Sequence, residues 1–134
     1  MSDTHLPPNW SPRLLAVLGA PRTAENLRLL QAWAVAEGGT AKWNPLNTTY
    51  PLAWGSSRYN NSEVKNYSQP TGGVCATALT LATSHQPDNT LTYGGILGDL
   101  QGGKKTAEQI VNDNAAEFHT WGTGTSVILS VLAQ

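Results

Sequence analysis

The stretch Ala32-Trp33-Ala34-Val35-Ala36-Glu37-Gly38-Gly39 decides how this chain is read. Counting back from it, Leu27, Leu30, Ala34 and Glu37 follow steps of three, four and three residues, the spacing of one helical face. A mainly apolar face therefore ends on a carboxylate, and two glycines break the helix directly after it. That orientation turns Glu37 inward, toward whatever cleft the next segment builds. Apolar surroundings disfavour the ionised carboxylate and raise its pKa. A raised pKa suits a general acid. The competing reading is an ordinary glutamate at a helix C-terminus, mildly disfavoured there by the helix dipole.

Working outward, Trp43-Asn44-Pro45-Leu46-Asn47-Thr48-Thr49 reads as a polar and aromatic wall. Residues 40–70 hold no good helical period and carry Pro45, Pro51, Gly55, Asn60-Asn61 and Pro70. Strand-like pieces at Ser57 to Tyr59 and Val64 to Tyr67 flank the turn signal Asn60-Asn61-Ser62-Glu63, which predicts a small irregular β-hairpin.

On the N-terminal side, residues 1–12 are Pro- and Ser-containing and predict an extended tail. Pro12 is placed to open a short helix, Arg13 to Leu18, closed by Gly19-Ala20-Pro21. Thr23 is the expected N-cap of the helix that ends at Glu37, with Glu25 well placed in its first turn. Beyond the hairpin, Gly72-Gly73 precedes a predicted helix over Val74 to Ser84, with Val74, Ala78, Leu81 and Ala82 on one face. A short helix is expected over Leu91 to Leu100, ended by Gly102-Gly103. A last amphipathic helix is expected over 104–118, with Ile110, Val111, Asn114 and Phe118 on one side. Trp121-Gly122-Thr123-Gly124 reads as a tight turn, and Val127 to Leu132 as a core segment.

Composition narrows the function classes. At 134 residues the chain predicts one domain with a single core. Eight basic residues against nine acidic give a net charge of −1, so nothing electrostatic argues for nucleic acid or an anionic membrane. The single cysteine, Cys75, excludes an intramolecular disulfide and a cysteine metal cluster, and its neighbours suggest a small buried hydrophobe. No apolar run is long enough to span a bilayer. Met1 to Pro8 shows no basic region leading into an apolar stretch, so no signal peptide is expected. His5, His85 and His119 are scattered without carboxylates at ligand spacing, which argues against a zinc site and so against a metal-dependent amidase or endopeptidase. A Cys75 nucleophile served by His85 is disfavoured as well, because one helix cannot aim the two side chains at each other.

Four segments together carry a resemblance. Residues 32–39 (Ala-Trp-Ala-Val-Ala-Glu-Gly-Gly), 44–49 (Asn-Pro-Leu-Asn-Thr-Thr), 64–67 (Val-Lys-Asn-Tyr) and 121–124 (Trp-Gly-Thr-Gly) resemble lysozyme-like domains of phages that infect actinobacteria. Gly19-Ala20-Pro21 with Asn26-Leu27, and the Gly73, Ala76-Thr77, Leu79 pattern, fit the same resemblance, which spans about residues 14 to 124. It implies an α+β, mainly α fold: a helical lobe, a small β-hairpin lobe and a polysaccharide cleft between. It implies that Glu37 is the catalytic acid cutting the β-1,4 link between N-acetylmuramic acid and N-acetylglucosamine, with no metal or cofactor. Bacterial peptidoglycan would be the partner, with phage tail proteins as further candidates. The protein would work in a virion tail, or from the host cytoplasm after release to the wall.

The residues themselves allow this reading. Asn44, Asn47, Thr48 and Thr49 can hydrogen-bond to sugar hydroxyls and acetamides, although such residues also close their own turns. Trp43, Trp54, Tyr59 and Tyr67 offer flat faces for pyranose rings or a core for the small lobe, and Trp121 is a further substrate-binding candidate. The family places a tyrosine near the acid, so Tyr67 is expected to orient Glu37 or stabilise developing charge. Glycosidases generally need two carboxylates. Of Glu63, Asp88, Asp99, Glu108, Asp113 and Glu117, only Glu63 lies in the hairpin, where a second carboxylate could face the cleft. Without one, a lytic transglycosylase route opens, in which the substrate's own 6-hydroxyl attacks and one glutamate serves as both acid and base. Two non-enzymatic readings stand beside these: a virion tail protein that binds peptidoglycan or packs structurally, and a carbohydrate-binding domain without turnover.

Overall fold

The structure, a computed structural model, describes residues 5–84 and 86–134. Residues 1–4 of the expected tail, and His85, lie outside the described residues. Seven helices and one hairpin follow in the order α1 (Trp10–Leu18), α2 (Ala24–Glu37), β1 (Ser56–Arg58), β2 (Lys65–Tyr67), α3 (Pro70–Ala82), α4 (Gly94–Gly102), α5 (Ala107–Asp113), α6 (Ala115–Trp121) and α7 (Thr125–Leu132) among the described residues. The fold is mainly helical with a small two-stranded antiparallel sheet.

The helix carrying Glu37 forms for the reasons its sequence suggests. Thr23 is extended and its side chain accepts from the Asn26 N–H, which satisfies one of the free donors of the first turn. Gly38 ends the helix in the left-handed region at φ 60°, a conformation glycine adopts without steric cost. Leu29, Leu30 and Trp33 are fully buried, and α2 packs on α7, α5 and α1. Trp33 lies edge-on to Phe118 at 4.8 Å and to Trp121 at 4.9 Å, a geometry aromatic quadrupoles favour. One buried cluster draws residues from all seven helices.

The hairpin pairs Ser56 with Tyr67, Ser57 with Asn66 and Arg58 with Lys65, one residue earlier than expected on β1 and one later on β2. At its tip the Asn60 side chain accepts from the Ser62 and Val64 N–H groups, the local bonding that makes asparagine a turn residue. The lobe is tied to the body through Lys42, whose N–H donates to Asn66 Oδ1 and whose carbonyl accepts from the Tyr67 N–H.

Several expectations need correction. The extended tail is packed from His5 onward. His5 is buried with Nδ1 3.2 Å from the Ala41 carbonyl, and Trp10 enters the core and opens α1 two residues before Pro12. Gly72 and Gly73 lie inside α3 rather than ahead of it, because that helix passes directly under residue 43. A Cβ on Gly73 would sit 1.5 Å from the Trp43 carbonyl oxygen. Leu91 does not start a helix but bridges to Ser84, and α4 begins at Gly94. The single helix expected over 104–118 is two, broken at Asn114 (φ −125°, ψ 31°). The Asn114 amide donates at 2.8 Å to both the Ile110 carbonyl and Asp99 Oδ2, which favours the break. Ile110, Val111, Asn114 and Phe118 are nevertheless all buried, as their spacing suggests. Residues 127–132 are not core throughout: they belong to α7, which buries Ile128 and Leu132 and exposes Val127. Cys75 is half-buried rather than buried and borders an apolar groove with Val17, Leu18 and Leu79. Among the described residues, no helix is long and apolar enough to cross a membrane.

Candidate functional site

Glu37 is the last residue of α2, half-buried, and its carboxyl is held from two distant segments. The first is the connection between α6 and α7. Gly122 takes φ 106°, the chain reverses, and the Thr123 N–H closes on the Phe118 carbonyl at 3.0 Å. This aims the buried Thr123 hydroxyl at Glu37, with Oγ1 2.5 Å from Oε1. The second is the loop after Ala41. Asn47, with φ 56°, donates from Nδ2 to Glu37 Oε2 at 3.3 Å and to the Glu37 carbonyl at 3.4 Å. That loop is pinned by the Trp121 indole, which donates to the Leu46 carbonyl at 2.8 Å.

Trp33 backs the Thr123 hydroxyl from the other side. Its indole N–H can only donate, and Nε1 lies 3.2 Å from Thr123 Oγ1. Thr123 accepts from Trp33 and donates its own proton to Glu37 Oε1. Burial pushes the Glu37 carboxyl above its usual range, and the hydrogen bonds from Thr123 and Asn47 pull against that shift. The indoles of Trp33 and Trp121 add weaker pulls of the same sign. Burial wins, so the acid holds its proton to a higher pH than a solvated glutamate.

The other sequence candidates are placed differently. Asn44 is fully buried and committed to backbone: Nδ2 donates to the Thr48 and Lys65 carbonyls, and Oδ1 accepts from the Thr48 N–H. Thr48 is buried and its hydroxyl pairs with that of Thr80, while Thr49 is exposed. Tyr67 is buried in the small lobe and donates to the Tyr50 carbonyl at 2.6 Å, so its hydroxyl is spent away from Glu37. Burial raises the pKa of that phenol. Tyr59 is exposed with its hydroxyl against that of Thr40. Trp121 is half-buried, edge-on to Trp33 and to Tyr93. His119 is exposed on α6. The residues that sequence reasoning passed over are Thr123 and Trp33. Both lie inside the quoted motifs, but only their meeting in space gives them a part at Glu37.

Glu63 sits at the exposed hairpin tip in the left-handed region and pairs with Arg58 at 2.8 Å and Lys65 at 3.3 Å. The other carboxylates weighed beside it are engaged too. Glu108 pairs with Arg28, and Asp99 and Asp113 pair with Lys105. Glu117 accepts from the Gly95 and Ile96 N–H groups, and Asp88 accepts from Thr90. Among the described residues, no group of three or more His, Cys, Asp or Glu is placed to hold a metal ion.

Comparison of the chain with models of known protein families, with curated proteins and with solved structures finds no match.

Proposed function

We propose that the protein is a lysozyme-like, peptidoglycan-cleaving glycosidase in which Glu37 protonates the leaving oxygen of the β-1,4 bond between N-acetylmuramic acid and N-acetylglucosamine. The supporting observation is convergence. Three of the four segments that carry the resemblance, 32–39, 44–49 and 121–124, meet at one half-buried carboxyl through Asn47 and Thr123. A carboxyl whose pKa burial raises, held in place by donors from Thr123 and Asn47, is suited to general acid work. Delivery from a helix end at the start of a loop lobe also fits a cleft between a helical body and a hairpin.

Within this reading a single-acid route is favoured over a two-carboxylate one. Two-carboxylate glycosidases hold the pair about 5–9.5 Å apart, and the hairpin candidate Glu63 is exposed and neutralised by two cations. In the single-acid route the Glu37 proton goes to the glycosidic oxygen, and the bond from that oxygen to C1 of N-acetylmuramic acid breaks. The resulting Glu37 carboxylate takes the proton of the 6-hydroxyl as O6 bonds to C1. Glu37 is left protonated and the product carries a 1,6-anhydro ring. Work at a phage tail or during host lysis fits this activity.

The test is digestion of purified actinobacterial peptidoglycan by wild type and Glu37→Gln, with soluble products identified by mass spectrometry. Anhydro-muropeptides released by wild type alone are expected. Reducing ends instead would keep the glycosidase and replace the single-acid route by hydrolysis. No release by either protein, with both folded and bound to the wall, would leave a binding role.

A further inference from the structure

The hairpin lobe carries a second feature that Glu37 chemistry does not use. A cleft of about 500 Å³ is lined by Lys42, Gly55, Ser57, Asn66, Tyr67 and Ser68. Its frame is held tightly. The Lys42 backbone is bonded on both sides, to the Asn66 side chain and to the Tyr67 N–H. Gly55 is in the left-handed region at φ 84°, and a Cβ there would lie 2.5 Å from Ser68 Oγ. The Ser68 N–H closes on the Gly55 carbonyl at 2.8 Å. The next residue back, Trp54, is 91% exposed, the most exposed large hydrophobic side chain described.

The donors at this cleft are uncommitted. Among the described residues, Lys42 Nζ has no carboxylate within ion-pair reach and Asn66 Nδ2 has no acceptor, whereas Lys65 and Arg58 are both occupied by Glu63. Charge is also segregated. Residues 40–70 hold Lys42, Arg58 and Lys65 against Glu63 alone, while the rest of the chain holds five cations against eight anions. An anion is therefore drawn to the hairpin and discouraged elsewhere.

We infer that this cleft binds a carboxylate of the peptide stem attached to the glycan strand, with Lys42 and Asn66 on the carboxylate and Trp54 covering the neighbouring apolar atoms. The inference rests on the glycosidase reading, because a stem is present only on that substrate. Reach is consistent with it. Lys42 lies five positions after Glu37, and five extended residues span at most about 18 Å. An extended stem of four or five residues covers a similar distance from a sugar held at Glu37. A charge-assisted contact to a carboxylate is directional and suits recognition. The ligand here is the stem rather than a wall phosphate polymer, because an amide-bearing peptide also matches the free side-chain amide and the exposed indole.

The test titrates the ¹⁵N-labelled full chain with a free stem tetrapeptide, L-alanine, D-glutamate, a diamino acid and D-alanine. Shifts at Lys42, Asn66 and the Trp54 indole are expected. Lys42→Gln, an exposed change that leaves the fold intact, should weaken binding about threefold to tenfold, the range expected of a part-exposed charged contact. Glu37→Gln should bind as wild type does. No shift at the hairpin, equal affinity in Lys42→Gln, or the same shifts from inorganic phosphate alone at equal concentration would overturn the inference. A second arm compares intact peptidoglycan with strands stripped of stems by an amidase. Lys42→Gln should slow release from the intact wall and leave stripped strands unaffected, and equal slowing of both counts against the stem. If wild type releases nothing from either, the glycosidase reading fails, while the titration still judges the cleft.

Discussion

Thr123 Oγ1 donates to Glu37 Oε1 at 2.5 Å across 86 residues of chain, and accepts in turn from the Trp33 indole behind it. The contact stabilises the ionised form of the acid, while burial opposes that form. Glu37 titrates where these two effects balance.

Thr123→Val keeps the shape and removes the donor. With the hydrogen bond to the carboxylate gone, the Glu37 pKa should rise further. Activity that needs the protonated acid should then persist to higher pH, moving the alkaline limb of a pH–rate profile upward. The buried Trp33 N–H also loses its acceptor, a cost of about 1–3 kcal/mol that urea unfolding would read. An alkaline limb that stays in place, or moves down, would contradict this account of the site.

Glu37→Gln separates chemistry from stability. Loss of general acid catalysis predicts a drop of about 10²–10⁴-fold in turnover. The stability effect has a definite sign. The folded pKa is raised, so the favourable protonated state is fully present below the unfolded glutamate pKa. That contribution is lost as pH rises through the folded value. The glutamine variant escapes the loss. It should melt close to wild type near pH 4 and above wild type near pH 7, where about 1 kcal/mol corresponds to roughly 4 °C in a domain of this size. Parallel melting curves at the two pH values, with no change in the gap, would show that the carboxyl is not penalised by burial.

Glu63→Gln should leave both turnover and melting temperature near wild type. Its partners Arg58 and Lys65 hold it at an exposed tip, and exposed ion pairs contribute little. A loss of turnover as large as that of the Glu37 variant would restore a two-carboxylate mechanism.

Gly73→Ala tests how the loop reaches Glu37. The added methyl would meet the Trp43 carbonyl at 1.5 Å, and neither backbone can give way cheaply. Overpacking of this kind costs about 1–3 kcal/mol. The loop carrying Asn47 should shift with it, so turnover should fall further than stability. Equal melting and activity to wild type would mean that the helix and loop are less closely apposed than described. Gly98→Ala is the control, because a Cβ there meets nothing within 4 Å.

The parts that could be read from the chain are those set by local rules. The Thr23 cap, the apolar face of α2, the glycine after Glu37 and the asparagine-rich hairpin turn all follow from neighbours within a few residues. The break at Asn114 could not be read. Its position on the buried face suits a continuous helix, and the bond to Asp99 that favours the break comes from another element. Gly73 is placed ahead of its helix by the sequence because its actual constraint, the Trp43 carbonyl, is thirty residues away. Tyr67 is expected beside the acid only because the resemblance implies a tyrosine there, and no local pattern specifies the Tyr50 carbonyl that its hydroxyl finds.

By itself the sequence determined where an apolar helix must end on a carboxylate, since helical periodicity and glycine chemistry act over single turns. The tertiary structure decided what that carboxylate meets. Thr123 and Asn47 arrive only when the α6–α7 turn and the loop after Ala41 dock on the end of α2. That docking depends on Trp33, Phe118 and Trp121 packing together, a long-range condition that no local pattern encodes.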